Sequence, residues 1–251
     1  MADISELGIT YHSGKRWRSY KIEFGIGIAI ILFYAFILNY QHDSASAEWD
    51  YVEDMLLPTD FTHKDPLVWR WTNSPTVSVA DGSPREIAAV KGAVSELNQI
   101  LSDTTFQIQY SDDVSQGNII FSFPLRAETE KYSDLHPMLK KPQSFEGFWL
   151  GGRPWAGRLG NSTIIVFSDL SEGEKWGAVL HELGHSLGLV GHTDRYISSL
   201  FYNNWKGGAV SDGFSSDDRK VLQFLYSHLE SGYSLKAVSY THLTLPTICS
   251  V

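Results

Sequence analysis

The stretch "HELGHSLGLVGH", residues 181–192, constrains this chain more than any other. His181 and His185 are four residues apart, a spacing that on an α-helix leaves them offset by about 40° around the axis and about 6 Å along it. On a helix, two imidazoles so placed can converge on one point. Glu182 then projects beside that point. Gly188, seven residues after His181, is where such a helix can end on a residue with positive φ and send the chain back towards the two histidines. The helix start is also written out: Ser171-Glu172-Gly173-Glu174 is a capping box, and Trp176, Val179, Leu180, Leu183 and Leu187 follow as an apolar stripe. The motif therefore sits on a helix packed against a core.

Two converging imidazoles with an adjacent carboxylate suit a zinc ion held by neutral nitrogen ligands. Glu182, beside the ion and not on it, could take a proton from a water molecule held by the metal and pass it to a leaving amine. By chance a His-Glu-x-x-His pentapeptide turns up in roughly one chain of this length in a hundred. The third ligand is open on spacing alone: His192, Asp194 or a carboxylate on a downstream helix could each complete the site.

"HELGHSLGL" resembles the His-Glu-x-Gly-His-x-Leu-Gly-Leu pattern of the metzincin metallopeptidases, in particular the matrixin-like branch. The resemblance implies His181 and His185 as zinc ligands, Glu182 as general base, Gly188 as the turn and one catalytic zinc ion; it is silent on structural calcium. It implies in addition an α+β, zincin-like domain with a mixed twisted sheet and about three helices. The chain departs from the pattern at the third histidine, which belongs three residues after the glycine. Gly191 stands there and His192 follows one later, so the turn holds one extra residue, which Gly191 could absorb through a positive φ. His192 is the expected third ligand. These enzymes also carry a methionine turn beneath the metal; "ISSLFYNNW" has no methionine, and either Leu200 or Phe201 would take that position, with Tyr202 read as a packed aromatic. The "RW…VSV…G" and "SLFYNNW…LY" stretches also resemble an uncharacterised family of exported bacterial proteins related to these enzymes. The resemblance spans about residues 67–235 and is strong only at 181–192.

The rest of the domain reads as alternating elements. "LVWRWTNSPTVSVADG" gives a strand from near Leu67, and Ser83-Pro84-Arg85-Glu86 caps a helix with Ile87, Val90, Val94, Leu97 and Leu101 inside. "TFQIQY", "NIIFSF" and Ile164–Phe167 read as strands, the Gly-rich aromatic stretch before Ile164 as an irregular edge able to accept a peptide, and "SSDDRKVLQFLYSHL" as a helix capped by Ser215 or Ser216. His12, His42, His63, His136, His228 and His242 show no paired spacing.

Ahead of the domain, residues 24–38 read "FGIGIAIILFYAFIL", uncharged throughout, after Lys15, Arg16, Arg18 and Lys21. Basic flank, apolar run and polar exit describe an export signal or anchor, and the cation bias holds the N-terminus in the cytoplasm. The expected organisation is a basic tail (1–21), a transmembrane signal anchor (22–40), a linker (41–66) that can end packed against the domain, the catalytic domain (67–235) and, at 238–251, a tail that reads as translated sequencing-adaptor sequence. The protein is expected in the cell membrane, single-pass with the domain outside, or secreted after cleavage near Ala47. Residues 1–40 carry four cations and three carboxylates, +1, against −9 for the whole chain, leaving −10 elsewhere. So acidic a domain is a poor nucleic-acid binder. Cys249, the single cysteine, lies in the adaptor-like tail, which removes disulfides and thiolate ligands from consideration.

The expected activity is a zinc-dependent endopeptidase acting on a peptide or protein outside the membrane. A metzincin-like binding module without turnover, and a zinc hydrolase with a downstream carboxylate ligand, are the alternatives.

Overall fold

The structure is a computed structural model that describes residues 48–57, 67–132, 146–151, 157–202 and 213–235. The chain divides into two compact units, Met1–Trp49 and Asp50–Val251, and every described residue from Asp50 onward belongs to the second. Among the described residues no helix is long and apolar enough to cross a membrane; the apolar run at 24–38 and the tail at 238–251 lie outside them.

The fold is α+β: a five-stranded sheet and, among the described residues, four α-helices. In chain order these are α1 (48–56), β1 (Thr76–Asp81), α2 (Pro84–Ile100), β2 (Gln109–Tyr110), β3 (Ile119–Ser122), β4 (Gly147–Gly151), β5 (Ser162–Val166), α3 (Glu172–Ser186) and α4 (Ser216–His228). The sheet runs β2-β1-β3-β5-β4, parallel except for β4, which pairs antiparallel to β5 with Trp149 opposite Ile164. Parallel neighbours need crossovers, and α2 supplies the one from β1. The short antiparallel β4 is left as an edge.

Helices α2 and α3 pack against each other and on the sheet, and β5 is buried on both of its faces. Ile164 and Val166 enter the main core, while Ile165 and Phe167 form a smaller cluster with Phe148, Leu150 and Leu170 on the opposite face. Continuous burial explains the unbroken apolar run at this strand. Both expected capping boxes are formed: Ser83 and Glu86 cap each other's backbone groups at α2, Ser171 and Glu174 at α3. Ser215, with Asp218, caps α4 in the same way.

Two boundaries differ from the sequence reading. β1 begins at Thr76, because residues 67–71 are held by isolated bridges such as Arg70 to Arg158 and not by a ladder. And residues 48–56, read as part of a linker over 41–66, are helical, with Tyr51, Met55 and Leu56 buried in the core. Their spacing puts them on one helix face, so burying that face against the domain removes apolar area from water that a linker would leave exposed.

Candidate metal centre

Helix α3 ends as the glycine spacing requires. Gly188 has φ +110°, its N–H donates to the His185 carbonyl, and the Leu189 N–H donates to the Gly184 carbonyl. This double closure satisfies the last helical carbonyls at a φ that only glycine adopts without strain, and a Cβ on Gly188 would in addition lie 2.1 Å from the Trp69 carbonyl oxygen. The same turn delivers the Leu189 carbonyl to His185, whose Nδ1–H donates to it. His181 is oriented likewise, its Nδ1–H donating to the Leu200 carbonyl at 2.9 Å. A carbonyl can only accept, so in both rings the proton sits on Nδ1 and the Nε2 lone pair is free.

His192 joins them. The ring centroids lie 4.5 Å apart for His181 and His185, 5.2 Å for His181 and His192, and 4.8 Å for His185 and His192. One nitrogen from each of the three lies within 4.8 Å of the others, an arrangement that could hold a metal ion. Asp194 is exposed and outside the group. The donor set fits zinc on two counts. The Nε2 atoms of His181 and His192 are 3.3 Å apart, close to the edge of about 3.3–3.4 Å expected for a tetrahedron with zinc–nitrogen bonds near 2.05 Å. Burial also holds His181 below the ordinary imidazole pKa, and burial with the neighbouring His181 and His192 holds His185 well below it, so at neutral pH these two rings are uncharged and able to ligate.

Glu182 lies on the same helix turned towards β4. It is buried, and Gly147 leaves the space it fills: a Cβ at Gly147 would come 3.0 Å from the Glu182 Cγ. Burial pushes its carboxyl up to about 8; a hydrogen bond from the Trp149 backbone opposes that shift and the charge of Glu146 adds to it. The Trp149 ring stands over the site, its centroid 6.4 Å from that of His185.

Beneath the histidines lies Phe201, fully buried, with its ring 4.9 Å from His181 and 5.2 Å from His185. Of the two residues considered for this position it is Phe201 that forms the floor, while Leu200 contributes its carbonyl. Gly184 makes room for it, since a Cβ there would meet the Phe201 ring at 2.5 Å. Tyr202 is half-buried and its backbone bridges to Thr193. The 199–201 turn is held in place by Asp218, at the start of α4. Its buried carboxylate accepts from the Ser199 hydroxyl (2.7 Å), the Leu200 N–H (3.0 Å), the Ser215 N–H (2.7 Å) and the Tyr51 hydroxyl.

Gly191 does not act as expected. It has no positive φ; its lack of a side chain is required because a Cβ would lie 1.8 Å from the Asp54 carbonyl oxygen and 2.4 Å from that of Leu57. The turn that holds it docks on α1 instead, the Gly191 N–H donating to the Met55 carbonyl. Asp218 and Asp54 had no signal in the sequence as members of the site, because their relation to it runs through contacts remote in the chain, and Gly147 and Trp149, in the stretch read as a peptide-accepting edge, had none that tied them to Glu182 or His185.

No family model matches the chain, and no curated protein matches it. Two solved structures of myroilysin are similar to it at 14% identity, with TM-scores of 0.40 and 0.41, covering 70% of this chain and 93% and 92% of theirs. A likeness this slight transfers no activity.

Proposed function

We propose that the protein is a zinc-dependent endopeptidase of zincin-like fold whose catalytic domain lies outside the cytoplasmic membrane, held there by the apolar N-terminal segment. The reading is carried by one observation: three histidine nitrogens, two of them with the proton fixed on the far side of the ring, cluster where helix α3 carries a buried Glu182 against the edge strand β4. His181, His185 and His192 would hold the ion. When bound, zinc supplies Lewis acidity, polarising a carbonyl oxygen and making water a better acid.

The protein's own groups do the rest. Glu182 takes a proton at its carboxylate, holds it away from bulk water because the side chain is buried, and returns it to the leaving amine. The Trp149 backbone fixes the carboxylate's orientation. Burial pushes the carboxyl up to about 8, and the positive charge of an ion held by the histidines would favour the ionised form that accepts a proton. The edge strand β4 can take an extended peptide as a further strand, presenting its carbonyls to the histidine end of α3.

Cleavage of a peptide library by the zinc-loaded protein tests this. Glu182→Ala is expected to keep its zinc and lose hydrolysis by a factor of about 10²–10⁴. Turnover within a few-fold of wild type would remove Glu182 from the chemistry, and a wild type that binds zinc but cuts nothing would favour a binding module.

A further inference from the structure

The turn that carries His192 is fastened on both sides of that residue to the same element. On one side the Gly191 N–H donates to the Met55 carbonyl at 2.9 Å, and the Cα of Gly191 is pressed against the last carbonyls of α1 so closely that no side chain fits. On the other side the Thr193 hydroxyl donates to Asp54 Oδ2 at 2.9 Å and accepts from the Arg195 N–H, and the Arg195 guanidinium meets the same carboxylate at 2.6 and 3.1 Å. Helix α1 is in turn fixed by Tyr51, Met55 and Leu56 in the core, with the Tyr51 ring edge-on to Tyr196 at 4.5 Å. Arg195 also reaches Asp50 at 3.0 Å, but both side chains are about half exposed, and a solvated pair of that kind contributes little. The weight lies on Gly191 and on the Asp54–Thr193 bond.

We infer that α1 is part of the metal centre: residues 50–57, docked on the 191–195 turn, set the position of His192, with Asp54 as the positioning residue. The inference rests on the reading of the three histidines as metal ligands. Hydrogen bonds on both sides of His192 run to this one helix, so its docking fixes where the imidazole stands. Metal binding and the docking of α1 are therefore coupled, each favouring the other by the same factor.

The test uses the full chain and zinc alone, with affinity measured by chelator competition. Asp54→Ala is expected to weaken zinc binding about 10–100-fold, as loss of a group that orients a ligand does. Asp54→Asn, which keeps a carbonyl for Thr193, is expected to restore most of it. In a His192→Ala background Asp54→Ala is expected to change nothing further, since the interaction it removes acts through His192. Zinc should also slow amide hydrogen exchange at residues 51–57 in the wild type and not in His192→Ala. If Asp54→Ala fails to fold, Thr193→Val, which removes only the hydroxyl, carries the same expectation. Unchanged zinc affinity in the Asp54 and Thr193 variants, or an equal loss with and without His192, overturns the role of α1 while leaving the metal site standing. A wild type that binds no zinc overturns the metal site itself.

Discussion

Asp218 is the residue on which the floor of the site depends, and its removal has a calculable cost. Its carboxylate has no exposure and accepts four hydrogen bonds, from Tyr51, Ser199, Leu200 and Ser215. In Asp218→Ala the Ser199 hydroxyl can rotate to another acceptor, and the Ser215 N–H, at a helix start, can reach water. The Leu200 N–H and the Tyr51 hydroxyl are buried and stranded. At about 1–3 kcal/mol for each buried donor left without a partner, the loss is about 4 kcal/mol. For a folded domain of this size that corresponds to a fall in Tm of about 8–16 °C, measurable by calorimetry on the metal-free protein. Zinc affinity should fall as well, because the Leu200 carbonyl that fixes the His181 tautomer rides on the same turn. A Tm within about 3 °C of wild type would overturn this role for Asp218, since it would mean the four donors lose nothing when the carboxylate goes.

Three further outcomes are expected. Phe201→Ala should cost about 3–5 kcal/mol in urea denaturation and reduce zinc affinity, whereas Phe201→Met, which refills most of the volume, should cost under about 1.5 kcal/mol and keep the metal; equal effects would deny Phe201 its place as the floor. Gly188→Ala should destabilise by more than about 2 kcal/mol in the same assay, from a positive φ and contact with the Trp69 carbonyl; a neutral result would mean that α3 does not end there. The full chain expressed in a bacterium should sediment with membranes and present its domain to protease added outside; a domain cut only after lysis would reverse the topology.

What the sequence made legible was local. Two capping boxes, a capping serine at 215 or 216 and the apolar stripes placed α2, α3 and α4, because a helix start is decided by residues a few positions apart. The spacing of His181, His185 and Gly188 foretold a helix that ends on a positive φ, a matter of chain geometry alone. Helix α1 went unread. No Ser/Thr-x-x-Glu/Gln sequence stands before it and it lies among acidic residues, although Tyr51, Met55 and Leu56, at i, i+4 and i+5, were a helical signal in plain view. The reason for Gly191 was missed with it, since a glycine demanded by a carbonyl more than 130 positions earlier looks no different in sequence from one demanded by its own φ. Asp218 was likewise hidden: its partners come from α1, from the 199–200 turn and from its own helix cap, and only folding brings them together.

The metal centre depends on His192 as its third ligand, and zinc titration of wild type, His192→Ala and Asp194→Ala is the decisive measurement. The three histidines cluster and Asp194 is exposed, so wild type and Asp194→Ala should each bind one zinc ion with similar affinity while His192→Ala binds it far more weakly. The reverse order, with Asp194→Ala losing the metal and His192→Ala retaining it, would place the site on the aspartate and remove His192 from it.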